Sequence, residues 1–143
     1  MPIITVRSLP MPTSFDASAV AVELSRRFAQ KMRIEIQNIS VYWESNPTCY
    51  VVGGESADQQ SNHSHPLLVT LLAPDYNDEV TIERMLIIIA KELADLTGID
   101  HHNIFVHFQG APSRGVFDAG RVIDWENTAQ RGLGRRGNRT PGQ

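Results

Sequence analysis

The sequence lacks the features of a secreted or membrane protein. It contains one cysteine, Cys49, so no internal disulfide bond can form. No charged n-region, apolar h-region and cleavage site open the chain, and the longest apolar run, MLIIIA at residues 85–90, is far shorter than the roughly 20 residues of a membrane-spanning helix. We therefore expect a cytoplasmic protein without a membrane partner, in which Cys49 has a packing role.

The body of the chain also lacks excess positive charge. The 143 residues have a formal net charge of −3, and the basic side chains are concentrated at the carboxyl end. Residues 1–125 are therefore acidic overall, and we do not expect them to bind nucleic acid. Residues 126–143 contain several glycines, no apolar periodicity and four arginines: Arg131, Arg135, Arg136 and Arg139. We expect one domain over residues 1–125, followed by a flexible Arg/Gly-rich tail.

Two segments with helical periodicity alternate with strand-like segments. Apolar residues recur three or four apart over residues 16–32 and again over residues 82–96, which predicts two amphipathic helices. Strand patterns occur at residues 2–9, 36–44, 67–73 and 103–108. The polar segment 53–65 is typical of a loop. The predicted order is therefore strand, helix, strand, repeated once.

Residues that cap helices flank both helical segments. Ser14 or Asp16 is placed to cap the first helix, and Asn77 or Asp78 is placed to cap the second. Gly98 stands where a glycine ends a helix.

The two halves of the chain resemble each other at a shift of 65 residues. The segment IEIQNISVYW at residues 34–43 aligns with IDHHNIFVHF at residues 99–108, and the same shift places Phe28 on Leu93. The pattern predicts an α+β fold with a tandem βαβ repeat, a four-stranded mixed sheet and both helices on one face. Since apolar residues occupy both sides of the strands, we expect other subunits to cover the second face.

Three motifs in this order resemble the tautomerase superfamily. Pro2 follows the initiator in MPIITV, YVVGGES at residues 50–56 follows the second strand, and VFDAGR at residues 116–121 follows the last. The resemblance covers βαβ units over about residues 2–52 and 66–109 and a closing segment 110–125. It is closest to the branch with macrophage migration inhibitory factor and malonate semialdehyde decarboxylase. It implies a homotrimer whose three sheets form a barrel.

The resemblance also implies a catalytic amino-terminal proline. After removal of Met1, the secondary amine of Pro2 acts as a general base on a small 2-oxo acid or its enol, without any cofactor. Burial of such an amine lowers its pKa and leaves more free base at neutral pH. Six further residues are expected to bind the substrate. Phe105, His107 and Phe117 stand at family pocket positions, Arg114 and Arg121 flank Phe117, and Tyr76 offers a hydroxyl.

One departure from the family pattern leaves other functions open. Related decarboxylases and dehalogenases have arginines just after the third strand, where this chain has APDYNDE at residues 73–79. One alternative is a hydratase or decarboxylase in which protonated Pro2 acts as a general acid. A second alternative is a non-catalytic trimeric binding protein of the same fold. A ferredoxin-like nucleic-acid binder that uses the basic tail is the third.

A metal site is not expected from the spacing of the histidines. His63 and His65 lie in the predicted loop, and His101 and His102 are adjacent, so a site requires a distant third ligand. No zinc-binding spacing is present among them.

Overall fold

The structure is a computed structural model that describes residues 2–45, 51–56 and 67–126. The strands are β1 (Ile3–Ser8), β2 (Ser40–Ser45), β3 (Val51–Val52), β4 (Glu55–Ser56), β5 (Leu67–Pro74), β6 (Ile104–Ala111), β7 (Phe117–Asp118) and β8 (Arg121–Val122). The helices are α1 (Ala17–Met32) and α2 (Glu79–Thr97), and single 3-10 turns cover Ile36–Asn38 and His101–Asn103. Cys49, His63, His65 and residues 127–143 of the tail lie outside the described residues.

Four strands form one mixed sheet in the order β2-β1-β5-β6. β1 is parallel to β2, β5 is parallel to β6, and the two central strands are antiparallel. Both helices pack on one face of this sheet. The predicted four-stranded sheet with two helices on one face is confirmed.

The register of the sheet follows the internal repeat. Ile3 lies opposite Ser40, and Leu67 lies opposite Ile104, so both parallel pairs have the same offset along the chain. Thr5 and Thr70, which the 65-residue shift relates, lie opposite each other in the central antiparallel pair. A pseudo-twofold axis therefore passes between these two threonines.

Helix ends form where capping residues stand. The side chain of Asp16 accepts a hydrogen bond from the Ala19 N–H at the start of α1, and Asp78 accepts one from the Thr81 N–H at the start of α2. Both helices end in a left-handed residue: Gly98 after α2 and, at the equivalent position after α1, Arg33. The predicted Gly98 cap is confirmed, while Arg33 adopts the same conformation despite its β-carbon.

The core lies between the helices and one face of the sheet. Alternate residues of the central strands, such as Ile4 and Val69, are buried against the helices. The fully buried large side chains are Phe28, Ile4, Leu24, Leu67, Leu71, Met85, Ile89, Leu93, Val6 and Val69. Burial of each such aliphatic or aromatic side chain contributes about 1.5–3 kcal/mol. This core joins the two repeats into one unit.

The opposite side of the sheet, called the open face below, has no helix on it within the described residues. It carries Ile3, Thr5, Arg7, Tyr42, Leu68, Thr70, Leu72, Phe105 and His107, which alternate along the strands with the core residues. Tyr42 and Phe105 are at least half exposed. Arg7 and Glu44 form an ion pair across β1 and β2 at 2.9 Å.

Three local details differ from the sequence interpretation. Ile36–Asn38 form a 3-10 turn rather than the start of a strand. β1 begins at Ile3, opposite Ser40, so residues before Ser40 have no strand partner and hydrogen-bond locally. β6 continues to Ala111 because β5 pairs with it as far as Pro74. The predicted loop begins with a hairpin, since β3 and β4 pair around Gly53 and Gly54, both with positive φ.

Among the described residues, no helix combines the length and the hydropathy that a membrane crossing requires.

Candidate functional site

Pro2 lies at the amino end of the central strand β1 and is buried. Its carbonyl oxygen accepts a hydrogen bond of 3.0 Å from the Ser40 N–H, which holds it against the start of β2. Because β1 and β5 are antiparallel, Pro2 also lies beside the carboxyl end of β5, where the chain leaves the sheet after Pro74. The proline therefore lies at the end of a central strand, and the bond from Ser40 fixes its carbonyl group.

A cavity of about 390 Å³ opens beside Ile3, the residue that follows Pro2, while Pro2 itself is not among the residues that line it. This volume is within the range of clefts that hold small molecules. The cavity is lined by Ile3, Gln37, Asn38, Ser40, Val116, Phe117 and Asp118. It therefore combines an apolar wall with two amides, one hydroxyl and one carboxylate. The site expected from the sequence includes none of the four polar lining residues, which are Gln37, Asn38, Ser40 and Asp118.

The 3-10 turn explains why sequence reasoning missed two of these residues. A strand over residues 36–44 places Gln37 and Asn38 on opposite faces. In the structure, the turn brings both side chains to the cavity. The register that leaves the residues before Ser40 without a β1 partner is visible only in the structure.

The hairpin β7–β8 carries the opposite wall of the cavity. After β6, the chain turns at Gly115, whose N–H donates to the Pro112 carbonyl at 2.8 Å. The Arg114 N–H donates to the Ile123 carbonyl, and the Ile123 N–H donates to the Val116 carbonyl. These bonds close the base of the hairpin and hold Val116 and Phe117 against the start of β1 and the turn before β2.

A second set of contacts fixes the end of the hairpin to the loop after β5. The Ser113 hydroxyl donates to the Asp124 carboxylate at 3.1 Å and accepts the Trp125 N–H at 3.1 Å. The indole N–H of Trp125 donates to Asp75 Oδ1 at 3.3 Å, and its ring meets Tyr76 edge-on at 6.0 Å. The hairpin is thus anchored at the same end of the central strands as Pro2.

The residues expected from the sequence are distributed unevenly around this cavity. Phe117 lines it and is 72% exposed. Arg121 lies opposite Asp118 in the hairpin, Arg114 is exposed at the hairpin base, and Tyr76 is exposed on the Trp125 ring. Within the described residues, these last three are near the site but do not line the cavity.

Phe105 and His107 lie elsewhere on the protomer. Phe105 is opposite Leu68, which is opposite Arg7, so it lies five strand positions from the level of Pro2, roughly 16 Å at about 3.3 Å per residue. His107 is on the same open face, with its Nδ1 3.5 Å from the Thr70 hydroxyl. One protomer does not bring these two side chains to its own Pro2.

The carboxyl groups with lowered pKa values have structural roles. Hydrogen bonds from Thr81 lower the pKa of Asp78 at its helix cap, and hydrogen bonds from His102 lower that of Asp100. Burial by itself raises the pKa of Glu92, but hydrogen bonds from Lys31 and Arg27 outweigh it and hold the pKa below its ordinary value. None of the three lines the cavity.

No protein-family model matches the sequence, and no curated protein matches it. Solved structures do match. Pt0534, solved after inactivation by 2-oxo-3-pentynoate, has a TM-score of 0.73 and 13% identity, over 88% of this chain and 98% of that one. The R7 fused 4-OT, an asymmetric trimer, has a TM-score of 0.69 and 12% identity, over 93% and 99%.

A macrophage migration inhibitory factor homologue from Prochlorococcus marinus also matches. Its TM-score is 0.64 at 16% identity, over 85% of this chain and 98% of that one. These matches cover both βαβ units of the described structure. The chain therefore has the tautomerase-superfamily fold.

Proposed function

We propose that this protein is a cofactor-independent tautomerase in which Pro2, freed by removal of Met1, is the general base. The observation that carries the proposal is the position of Pro2, which is buried at the end of β1 and directly precedes Ile3, a residue that lines a cavity of small-molecule size. The fold shared with Pt0534 and the fused 4-OT supports it.

The chemistry needs a base and a stabiliser for the oxygen. An α-amine ordinarily titrates at about 7.7–8.0, and burial disfavours its charged form, so a buried Pro2 nitrogen supplies free base at neutral pH. The base takes a proton from an enol hydroxyl or from the carbon next to a carbonyl, and the resulting ammonium returns it to the other atom. Asn38 and Ser40 line the cavity and provide hydrogen-bond donors for the enolate oxygen.

We propose that the working enzyme is a homotrimer and that its substrate is a small 2-oxo acid or enol. The fused 4-OT is a trimer, and the partly apolar open face offers a surface for neighbouring copies. In such an assembly, Phe105 and His107 of one protomer serve the site of the next. Arg114 and Arg121, at the hairpin that carries Phe117, are the proposed partners of a substrate carboxylate, and Tyr76 supplies a hydroxyl.

A second candidate function follows from Asp118. A carboxylate in the cavity favours the charged form of a nearby amine and so raises its pKa. Protonated Pro2 then acts as a general acid, and the enzyme is a hydratase or decarboxylase. A Pro2 pKa well above 8, measured by the pH dependence of amine labelling, selects this candidate.

The test is ketonisation of enol-phenylpyruvate by protein whose mass shows that Met1 is removed. We expect Pro2→Ala, which keeps a free but primary and less rigid amine, to lower kcat/KM, and by less than the roughly 100-fold or more that complete loss of a general base costs. The matched control is wild-type chain with Met1 retained, in which the Pro2 nitrogen is an amide and the rate falls to background. Equal rates for wild type and Pro2→Ala contradict the proposal.

Labelling with 2-oxo-3-pentynoate gives a second readout. A free Pro2 nitrogen adds to the conjugated triple bond, and the amino-terminal peptide gains the mass of one reagent molecule. Labelling of another residue, with Pro2 unmodified, contradicts the assignment of Pro2.

A further inference from the structure

Three potential metal ligands meet at the turn between α2 and β6. Asp100, His101 and His102 each place one ligand atom within 4.8 Å of the others, and all three residues are exposed. Asp100 Oδ1 lies 2.7 Å from His102 Nδ1 and 3.7 Å from His101 Nδ1. The two imidazole rings are 4.2 Å apart, centre to centre.

The backbone of the turn preorganises this group. The His102 N–H donates to Asp100 Oδ1 at 2.9 Å, and the Asn103 N–H donates to the Asp100 carbonyl at 2.9 Å. These bonds form the 3-10 turn His101–Asn103 and turn both imidazoles towards the carboxylate. The sequence argument against a metal required a distant third ligand, but the structure supplies a local one, Asp100.

We propose that Asp100, His101 and His102 bind a divalent transition-metal ion such as Zn²⁺. Two imidazoles and a carboxylate suit zinc, nickel and copper better than magnesium or calcium. Water completes the coordination, because the turn is exposed. The metal replaces the hydrogen bond between Asp100 and His102, and its binding requires no change of fold.

This site is independent of the proposed function. Ile104, the residue that follows the turn, lies opposite Leu67 at the amino end of β5, whereas Pro2 lies beside the carboxyl end of β5. We therefore expect the metal to leave Pro2 chemistry unchanged, so failure of either proposal leaves the other standing.

The first repeat provides an internal comparison. The 65-residue shift relates Asp100, His101 and His102 to Glu35, Ile36 and Gln37, which form the same 3-10 turn without an imidazole. The double substitution His101→Ile and His102→Gln therefore copies a side-chain set that this backbone already accepts.

The experiment is calorimetric titration of the full chain with ZnCl₂ in a buffer that does not bind metal. We expect wild type to bind one ion per chain at this turn, and H101I/H102Q to weaken the binding at least tenfold. The matched control, H63Q/H65Q, also removes two histidines and is expected to keep the affinity. No zinc binding by wild type, or equal affinity of H101I/H102Q and wild type, overturns the proposal.

Asp100→Asn provides a check that does not depend on histidine replacement. Asparagine caps a helical turn as well as aspartate does, so the fold is kept while the charged ligand is lost. We expect weaker zinc binding with unchanged circular dichroism. Co²⁺ must also broaden the amide NMR signals of residues 100–103 before others, and broadening centred elsewhere overturns the assignment.

Discussion

The two helix ends related by the repeat provide a test of backbone strain. Arg33 has φ 55° and ψ 44°, and Gly98 has φ 73° and ψ 5°; their N–H groups donate to the equivalent carbonyls of Ala29 and Ala94. A residue with a β-carbon loses about 1–2 kcal/mol in this left-handed region. Replacing glycine by alanine also lowers the conformational entropy of the unfolded chain, which stabilises the folded protein by about 0.4–1 kcal/mol. The net effect of one β-carbon is therefore about 1 kcal/mol at either site.

We expect Arg33→Gly to be about 1 kcal/mol more stable than Arg33→Ala, and Gly98→Ala to be about 1 kcal/mol less stable than wild type. Arg33→Ala is the reference because it also removes the guanidinium, whose charge near a helix end can affect stability by itself. A β-carbon at Gly98 meets no heavy atom within 4 Å, so the loss there is conformational.

The assay is urea denaturation of all four proteins at one chain concentration, which keeps any assembly equilibrium constant. The reasoning is refuted if Arg33→Gly is no more stable than Arg33→Ala, or if Gly98→Ala unfolds at the wild-type urea concentration.

Three further predictions concern the helix pair and the cavity wall. Glu92→Gln should lower the free energy of unfolding by about 1–2 kcal/mol at pH 7, because the buried carboxylate binds Lys31 and Arg27. Since the pKa of Glu92 is lowered on folding, this contribution is present above the ordinary value of 4.5 and is lost as the pH falls through the folded pKa. The difference in free energy of unfolding between wild type and Glu92→Gln should therefore shrink in acid, and a constant difference contradicts this. Phe117→Ala should raise KM for enol-phenylpyruvate roughly tenfold with a smaller change in kcat, and an unchanged KM removes Phe117 from the site. Gly115→Ala places a β-carbon 2.8 Å from Pro112 Cγ, so it should destabilise the protein by about 1–3 kcal/mol and open the hairpin to limited proteolysis; wild-type resistance refutes the contact.

Part of the candidate site was predictable from the sequence. Pro2 heads an apolar strand whose partners the 65-residue repeat defines, so its position at the end of a central strand follows from topology. Phe117 follows from the order of the motifs, and the structure places it in the cavity. Gln37, Asn38, Ser40 and Asp118 were missed, because the start of β2 and the path of the hairpin depend on which residues have a strand partner.

Local geometry also explains why the sequence argued against a metal site while the structure supports one at Asp100, His101 and His102. Spacing along the chain shows that His101 and His102 are adjacent, but a strand, a helix and a 3-10 turn direct adjacent side chains differently. The hydrogen bonds of the turn, which bring Asp100 Oδ1 to both imidazoles, are visible only in the structure.

The sequence by itself determined the repeat, the two helices and their core faces, because apolar periodicity is a local property that the chain displays directly. Asp16, Asp78 and Gly98 mark helix ends for the same local reason. Only the tertiary structure decided which residues meet at the cavity beside Ile3 and at the Asp100 turn. Those contacts join residues from different strands and turns, and their positions depend on register, which packing of the whole core selects.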